Sequence, residues 1–445
     1  GTNDICGPSG TMECRGADNS IEFDRQKAKI LAALAAIDSD IYGLMEIEND
    51  SPVSGNDAVA DLVAGLNAIK GEGTYAYIDT GAIGSDAIKQ AILYKPASVT
   101  PLGVYKILDS SVDSRFIDTL NRPVLAQVFV DNEGGVPFVV AVNHLKSKGS
   151  ACVDDPDLGD GQGNCNLTRK AAAEALVDWL ANPTYFADVE KTLIIGDLNS
   201  YDKEDPIDAI KLGADDTADT SDDYLDMIFE KRGEYAYGYV YDGQTGYLDH
   251  ALANHAMADS IVDVNFWHIN ADEPDLIDYD TSFKADAQDA LYAPDAYRSS
   301  DHDPVIVTLN VLTLEEQITS AVTYEYTPVY DYVGDIVFDD LNNIFTGTYT
   351  DAQFLAGGAM NDLARYLGAL YRQEDSSIDT IVFNNVTYTW NPLGELKGSN
   401  WEDSSGNTLV SAMVDYFFST AYDPAVGLQI TVSDEVATST VTFML

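Results

Sequence analysis

The chain has 445 residues, of which 74 are acidic and 24 basic, so its formal net charge is −50. Hydrophobic residues make up 45% of the chain and aromatic residues 10%. This composition excludes a disordered chain and suits about two or three folded domains. So acidic a surface repels nucleic acid, which argues against a passive nucleic-acid-binding protein. It argues less against an enzyme that places cations beside a phosphate, and solubility in a salty medium is the alternative explanation.

The four cysteines fall into two local pairs, Cys6 with Cys14 and Cys152 with Cys165. Their spacing fits no zinc site, so it predicts two disulfides and a secreted, extracellular protein, with free thiols as the alternative. No apolar run reaches about 18 residues, so we expect no membrane span. No signal peptide is visible, so an exported chain would be a mature or trimmed form. No feature of the sequence indicates a protein partner.

Hydrophobic spacing predicts helices mixed with strands through the first 310 residues. The helices are predicted over Ile21–Ile37, Asn56–Ile69, with Asn56 as N-cap, and Thr168–Leu180. The strands are predicted over Asp40–Glu46, Tyr75–Thr80, Lys89–Tyr94, Pro123–Val130, Phe138–Asn143, Lys191–Asp197, Tyr235–Tyr241, Tyr247–Ala253 and Val305–Asn310. Helices among hairpin-like strand pairs favour a layered α+β fold over strict βαβ repeats.

A domain boundary is predicted near Asn310, where the chemistry of the chain changes. All five histidines and all four cysteines precede it, and residues 311–445 contain only three basic residues. The predicted elements beyond the boundary are a helix around Asp351–Arg372, a strand pair around Thr380–Trp390 and a strand near Leu428–Val432. We therefore expect a catalytic domain over 1–310 and a smaller α/β accessory domain over 311–445, dispensable for the chemistry.

Polar side chains stand at the ends of predicted buried strands in five places, where layered proteins often carry their catalytic groups. They are Glu46, then His144 with Lys146 and Lys148, then Asp197 with Asn199, then Asp249 with His250, and last Asp301 with His302. Each has a structural alternative, such as a solvated strand end, an Asx turn or a hydrogen-bonded core histidine.

The chemistry of these groups suits hydrolysis of a phosphate ester. Carboxylates such as Glu46 and Asp301 supply the oxygen ligands of Mg²⁺ or Mn²⁺. A histidine protonates a leaving oxygen or, beside carboxylates, removes a proton from water. Lys146 stands out in so acidic a chain and is a candidate to hold the phosphate. Together the five places predict metal-assisted phosphoryl hydrolysis.

Eight ordered segments between residues 15 and 310 resemble the endonuclease/exonuclease/phosphatase superfamily, whose best-known member is DNase I. Among them are GLMEIEN, NHLKSKGS, LIIGDLNS and SSDHDPVIV. Within the superfamily, the chain most resembles the large extracellular bacterial nucleases. The resemblance implies a four-layer α/β sandwich with its site at one edge of two packed sheets. It also implies cleavage of phosphodiester bonds in DNA, or also in RNA.

The resemblance implies a role for each residue as well. Glu46 and Asp301 match metal ligands, and Arg122 matches an arginine that contacts a substrate phosphate. His144 matches the histidine that helps the leaving group depart, and Asp197 and Asn199 match the pair around the scissile phosphate. Asp249 matches the carboxylate that orients the second histidine, and His302 matches the histidine that activates water.

One part of the family pattern has no counterpart. The superfamily opens with a strand that brings an Asn to the metal, and no such strand precedes Ile21. We therefore expect the chain to be less stable and less active than a longer form carrying that strand. TIVFNNV, which starts at Thr380, is one hypothetical replacement, and Leu428–Val432 is a second apolar strand without the Asn.

Two other functions compete with a nuclease. One is a phosphatase of the same fold acting on lipid or nucleotide phosphates, and the other is a non-catalytic binding module. An aromatic hairpin for membrane contact would favour a lipid substrate, but we interpret EYAYGYVYDG as an alternating core strand. The acidic stretches Asp154–Asp160 and Asp215–Asp223 are candidate sites for structural Ca²⁺.

Overall fold

Two units make up the chain, Gly1–Val311 and Leu312–Leu445, so the division falls beside Asn310. They are seen in a computed structural model. It describes residues 4–50, 57–132, 135–187, 189–310, 335–339, 344–348, 380–390, 401–417, 428–433 and 438–444. Every candidate catalytic residue lies in the first unit. Within the described residues, no helix combines the length and the apolar character needed to cross a membrane.

The first unit mixes strands with helices. Its strands are β1 Asp4–Cys6, β2 Met12–Glu13, β3 Ile41–Glu48, β4 Ala76–Tyr77, β5 Ile88–Tyr94, β6 Val99–Leu108, β7 Arg122–Asp131, β8 Phe138–His144, β9 Lys191–Asp197, β10 Tyr224–Asp226, β11 Tyr239–Tyr241, β12 Gln244–Gly246, β13 Asp249–Asn254, β14 Ile261–Phe266 and β15 Val305–Leu309. Its helices are α1 Ser20–Ile37, α2 Ala58–Lys70, α3 Asn166–Leu180, α4 Pro183–Phe186, α5 Asp205–Lys211, α6 Met227–Arg232, α7 His255–Ala258 and α8 Asp286–Asp289, with a 3₁₀ turn at Asp275–Ile277.

Side-chain caps set where the two long N-terminal helices begin. The Asn19 side chain accepts hydrogen bonds from the backbone N–H groups of Ile21 and Glu22, each at 3.0 Å, so α1 begins at Ser20. Asp57 caps α2 by accepting from Val59 N at 3.0 Å. The N-cap is therefore Asp57, one residue after the predicted Asn56, which itself lies outside the described residues.

The main sheet has six strands in the order β10-β13-β9-β8-β7-β6. Only β8 and β9 pair in parallel among these neighbours, and the chain crosses between them through α3 and α4. The other neighbours pair antiparallel. This mixture explains why the sequence shows both hairpin-like pairs and a helical crossover.

Alternating side chains of the main sheet build two cores, one on each face. Val139 and Ala141 of β8 pack in a cluster with Leu176 of α3. Val140 and Val142, which point the other way, pack in a cluster with residues of β5, β14 and β15. A third cluster joins β3 and β5 to α1 and α2. The layers are therefore helix, sheet, sheet and helix, and the predicted four-layer α+β sandwich is confirmed.

The second sheet layer is in two pieces, β3-β5-β4 and β14-β15. In the described part of the chain, β3 and β15 have one pairing partner each, β5 and β14. All residues of both strands line one cavity of about 1580 Å³, which reaches Asp249 and His302. The hypothesis that an upstream strand completes this layer stays a prediction.

The second unit contains a sheet of its own. Its described elements are β16 Asp335–Asp339, β17 Ile344–Thr348, β18 Thr380–Phe383, β19 Val386–Trp390, β20 Trp401–Glu402, α9 Leu409–Phe417, β21 Leu428–Ser433 and β22 Thr438–Met444, in the strand order β16-β17-β22-β21-β18-β19-β20. The predicted strands are therefore present, while the predicted helix around Asp351–Arg372 lies outside the described residues. β18 pairs with β19 and β21, so the hypothesis that TIVFNNV replaces the opening strand is wrong.

The tyrosine-rich segment also differs from its prediction. Only Tyr239–Tyr241 is extended, and it pairs with Gln244–Gly246 in a two-stranded hairpin. None of these three residues is buried, so the expected core strand over Tyr235–Tyr241 is wrong. The alternating tyrosines reflect one face of a short hairpin rather than a face of the main sheet.

The structure contains both predicted disulfides. Cys6 is bonded to Cys14 and Cys152 to Cys165, with Cα atoms 5.0 and 5.5 Å apart. The second bond ties the loop that follows β8 to the residue preceding α3. Each bond therefore restrains a short loop rather than joining distant parts of the unit.

Removing the second disulfide should destabilise the protein. We expect the double substitution Cys152→Ala and Cys165→Ala to lower the free energy of unfolding by about 2–3 kcal/mol, since the unfolded chain gains freedom. Chemical denaturation of parent and variant measures the loss. The matched pair Cys6→Ala and Cys14→Ala closes a shorter loop and should cost less. Unchanged stability in both variants would show that the bonds do not restrain the unfolded chain.

Candidate active site

Cross-strand register brings four candidate residues into one row at the end of the main sheet. Arg122 is paired with His144, His144 with Asp197, and Asp197 with Asp249. These residues begin or end β7, β8, β9 and β13, and all four are buried. Directly paired residues point to the same face, on strands about 4.8 Å apart. The row therefore places a cation, an imidazole and two carboxylates side by side.

His302 reaches this row from the loop before β15. Its Nδ1 is hydrogen-bonded to Oδ2 of Asp249 at the end of the row. The other ring nitrogen, Nε2, lies 3.9 Å from Asp301 Oδ2. The structure thus brings Asp249 together with Asp301 and His302, which lie on a different segment of the sequence.

Buried hydrogen bonds fix the loop that carries His302. Asp303 accepts from the backbone N–H groups of Ile269, Asn270 and Ala271 at 2.8–3.0 Å. The Asn270 side chain in turn donates to the His302 carbonyl at 2.6 Å. Asp303 therefore has a structural role next to two candidate functional residues.

The electrostatics of the site separate the two histidines. Burial alone would lower the pKa of His302, but the carboxylates of Asp249, Asp197 and Asp301 outweigh it and raise the pKa to about 10. Burial lowers the pKa of His144 well below its usual value, and the positive charges of Arg122 and His302 lower it further. At neutral pH His302 is therefore charged and His144 neutral.

Asp197 lies between the two histidines. His144 Nε2 is 3.5 Å from its Oδ2. Burial, and next the negative charge of Asp249, raise the pKa of Asp197 to about 7. A carboxyl group that titrates near neutrality can take or give a proton during a reaction.

The segment Gly196-Asp197-Leu198-Asn199 turns sharply to present Asp197. Asn199 adopts a left-handed conformation with φ of 47°. Its backbone N–H donates to Asp197 Oδ1 at 2.7 Å, and its side-chain Nδ2 donates to Asp197 Oδ2 at 2.8 Å. Asn199 therefore orients the carboxylate, and asparagine tolerates the left-handed backbone better than most residues.

Glu46 stands at an irregularity in β3. The pairing of β3 with β5 shifts register between Leu44 and Ile47, and Glu46 has a φ of 59°. Such a bulge redirects a side chain and is common next to active sites. The Glu46 carboxylate is aimed toward the row, where its Oε1 lies 3.9 Å from His144 Nε2.

The donor set at this edge fits a hard divalent cation. Desolvation raises the pKa of Glu46, and the negative charge of Asp301 raises it further. Carboxylates that repel one another in this way are relieved by a cation, and Mg²⁺ is often held by only one or two of them and by water. Glu46 and Asp301 are the residues that would hold it.

Among the described residues, one group of three ligand atoms lies within 4.8 Å, formed by Cys6, Cys14 and Glu48. Its two sulfur atoms are joined in the disulfide, so it lacks the thiolates that a metal would need. The acidic stretches Asp154–Asp160 and Asp215–Asp223 do not form such a group, and structural Ca²⁺ there stays a prediction.

The two candidate phosphate-binding cations have protein partners. Arg122 Nε donates to Asp86 Oδ2 at 3.0 Å, and Arg15 binds the other oxygen of Asp86 at 3.2 Å. The Lys146 ammonium is bonded to Ser150 and Ser147 in its own loop. Arg122 thus lies in the row with part of its charge offset, while Lys146 lies at its margin.

Sequence reasoning missed the residue that holds these loops in place. Arg169 is fully buried at the start of α3 and donates to Ser200 Oγ and to the carbonyl oxygens of three loop residues, Lys146, Gln162 and Asn164, at 2.7–3.2 Å. An arginine among helix residues is usually exposed, so its pattern gave no signal. His250, in contrast, points away from the row and binds the Ser200 carbonyl at 2.8 Å.

No protein-family model matches the chain, and no curated protein matches it. Solved structures do resemble it. An endonuclease/exonuclease/phosphatase from Bacteroides vulgatus is 14% identical, with a TM-score of 0.41 over 65% of this chain and 92% of that one. A mannosyl-6-phosphatase from Bacteroides thetaiotaomicron is 17% identical, with a TM-score of 0.43 over 67% and 97%. D. rerio TDP2, complexed with a single-stranded DNA product, is 15% identical, with a TM-score of 0.39 over 66% and 94%.

These solved structures include members of the endonuclease/exonuclease/phosphatase superfamily, which is the superfamily that the sequence resembles. The narrower likeness to large extracellular nucleases stays a prediction. A shared fold hosts different substrates, so the reaction has to be argued from the side chains of the site.

The backbone beside Asp197 tolerates no side chain. Gly196 has a φ of 113°, and a Cβ atom there would lie 2.2 Å from the Asn143 carbonyl oxygen. We expect Gly196→Ala to lower the free energy of unfolding by ~2–4 kcal/mol, because strand β8 or β9 must move. Gly149→Ala is the control, since a Cβ there meets nothing within 4 Å. Equal denaturation midpoints for both variants would contradict this close approach.

Proposed function

We propose that the chain is a secreted, divalent-metal-dependent endonuclease that hydrolyses phosphodiester bonds of DNA and, as a second substrate, RNA. The observation that carries this proposal is the row of Arg122, His144, Asp197 and Asp249, closed by His302. A cationic end, a proton-exchanging centre and an oxygen-rich edge meet there, and Asp249 and His302 also line the cavity. These are the groups that phosphoryl transfer requires.

In hydrolysis, a water oxygen bonds to phosphorus while the bond from phosphorus to one ester oxygen breaks. The water loses a proton, and the departing oxygen gains one. Asp197, with a pKa of about 7, and His302, held by Asp249, are placed to exchange these protons. His302 in its charged form also binds a phosphate oxygen. His144 is neutral, so it would donate a hydrogen bond to the substrate without adding a positive charge.

Glu46 and Asp301 would hold the metal ion. Bound there, it would polarise a phosphoryl oxygen and offset the negative charge that develops in the transition state. Arg122 and His302 supply positive charge on either side of the row, at its β7 end and its β13 end. The protein's own contribution is to hold these groups before the substrate arrives.

Two disulfides support secretion, because such bonds persist in oxidising compartments. The high negative charge suits a salty exterior, where ions screen repulsion between the protein and a polyanion. Supercoiled plasmid, incubated with Mg²⁺ and beside a phosphate-release assay on nucleotides, tests the proposal. Nicking without phosphate release supports an endonuclease. Phosphate release alone would identify a phosphatase, and neither activity would leave a binding module.

Removal of the metal should abolish hydrolysis. In excess EDTA we expect nicking to fall to background, and added Mg²⁺ or Mn²⁺ to restore it, because Glu46 and Asp301 are hard oxygen ligands. Gel analysis of plasmid before and after restoration measures this. Glu46→Gln should require a higher Mg²⁺ concentration for half-maximal rate, whereas Glu174→Gln, half-exposed on α3, should not. Full activity in EDTA would rule out the metal-dependent mechanism.

Both site histidines should be needed for the reaction. We expect His144→Ala and His302→Ala each to lower kcat by ~10²–10⁴-fold, the usual contribution of a positioned acid or base. His255→Ala is the control, since His255 is exposed at the start of α7. Initial rates and far-ultraviolet circular dichroism on all three variants separate chemistry from folding. A parental rate for a folded His302→Ala would remove that residue from the site.

A further inference from the structure

The β11–β12 hairpin forms an aromatic surface that begins at His302, beside the row of polar residues at the end of the main sheet. The Tyr239 ring lies over His302, with ring centroids 4.4 Å apart. Tyr241 follows on the same face, its ring 6.4 Å from that of Tyr239 and inclined by only 15°. The Tyr241 side of this pair is open, since that residue is 62% exposed. The rings of His302, Tyr239 and Tyr241 thus form one aromatic surface that leads from the candidate active site to solvent.

A third tyrosine borders this aromatic surface. Tyr239 is paired with Gly246 across the hairpin, and a Cβ atom on Gly246 would lie 2.7 Å from the Tyr201 ring. Directly paired residues face the same side, so Tyr201 packs on the face that carries Tyr239. The Lys148 ammonium lies 4.5 Å from the Tyr201 ring centroid and is also bonded to Glu204. The aromatic surface is therefore bordered by a cation whose charge is largely offset.

The high negative charge of the protein favours recognition of a substrate by base stacking over recognition by phosphate contacts. Polyanion binding through phosphate contacts needs unpaired cations, but the chain has 24 basic against 74 acidic residues. Arg122 and Lys148, both near the site, are paired with carboxylates. Stacking of bases on aromatic rings requires no net charge and accepts any base.

We propose that Tyr239 and Tyr241 form a stacking subsite for unpaired bases next to the scissile phosphate, on the His302 side of the site. This rests on the proposed phosphodiesterase function and specifies its preferred substrate as single-stranded nucleic acid. Bases in a duplex are stacked on one another and do not offer their faces. The hairpin tip, Asp242-Gly243, is acidic and polar, which opposes insertion into a membrane.

The test compares substrates with and without the stacking base. The probe is a short DNA strand in which one linkage is a phosphodiester and all others are uncharged methylphosphonates. In a second probe, both nucleotides beside that linkage lack their bases. We expect Tyr241→Ala to lower kcat/KM about tenfold on the first probe. On the second probe, parent and Tyr241→Ala should react at the same low rate.

Matched variants separate stacking from folding. Tyr241→Phe keeps the ring and should retain the parental kcat/KM. Tyr235→Ala removes an 86% exposed tyrosine from the same segment and should change nothing. All variants should melt at the parental temperature. The parent should also cleave the first probe faster than its duplex with a complementary strand.

Several outcomes would overturn the stacking subsite. They are an equal loss for Tyr241→Ala on both probes, no loss on either, or a preference for the duplex. Binding of the parent to phosphatidylcholine vesicles that Tyr241→Ala abolishes would assign the hairpin to a lipid surface instead. If the parent cleaves neither probe nor plasmid, the proposed function itself fails, which is distinct from failure of the subsite.

Discussion

Repulsion among carboxylates is the physical constraint on which the site depends. Glu46, Asp197, Asp249 and Asp301 are gathered around two histidines. Burial, and next the repulsion from a neighbouring carboxylate, raise the pKa of Glu46 and that of Asp197. An arrangement of this kind persists only if the fold imposes it, because the isolated groups would separate. The charge on His302 relieves part of the repulsion, and a divalent cation would relieve more. The repulsion that the fold imposes on these carboxylates would therefore favour the binding of a divalent cation.

The fold imposes this arrangement through hydrogen-bond register. Arg122, His144, Asp197 and Asp249 are neighbours because their strands pair as they do, and a slip of one residue would turn any of them to the opposite face. Two buried polar side chains hold the loops whose positions the strand register does not fix. Arg169 secures the loops after β8 and β9, and Asp303 secures the loop of His302. Rigid scaffolding of this kind keeps catalytic side chains oriented before substrate binds.

The sequence predicts the strand ends of this site but not the features that depend on distant partners. Asp197 and His144 follow apolar runs whose alternation reports the buried strands directly. Glu46 also ends an apolar run, yet the bulge that redirects it arises from the pairing of β3 with β5, which no local pattern encodes. The tyrosines of β11 alternate as core residues would. Their exposure depends on the hairpin lying beside the site instead of within a sheet, and that is a tertiary property.

The protein has few positive charges, both over its surface and near its site. Most basic groups near the row are already committed within the fold: Arg122 and Arg15 share Asp86, and Lys148 binds Glu204. Long-range attraction for a polyanion is consequently weak, and added salt should cost such a protein less affinity than it costs a basic nuclease. Recognition then has to come from short-range contacts at the site. In the proposed reaction, a cation at Glu46 and Asp301 would act on one phosphate, and the flat aromatic rings would act on the bases beside it. Neither depends on the sign of the surrounding surface, so an acidic exterior and a phosphate substrate are compatible in one molecule.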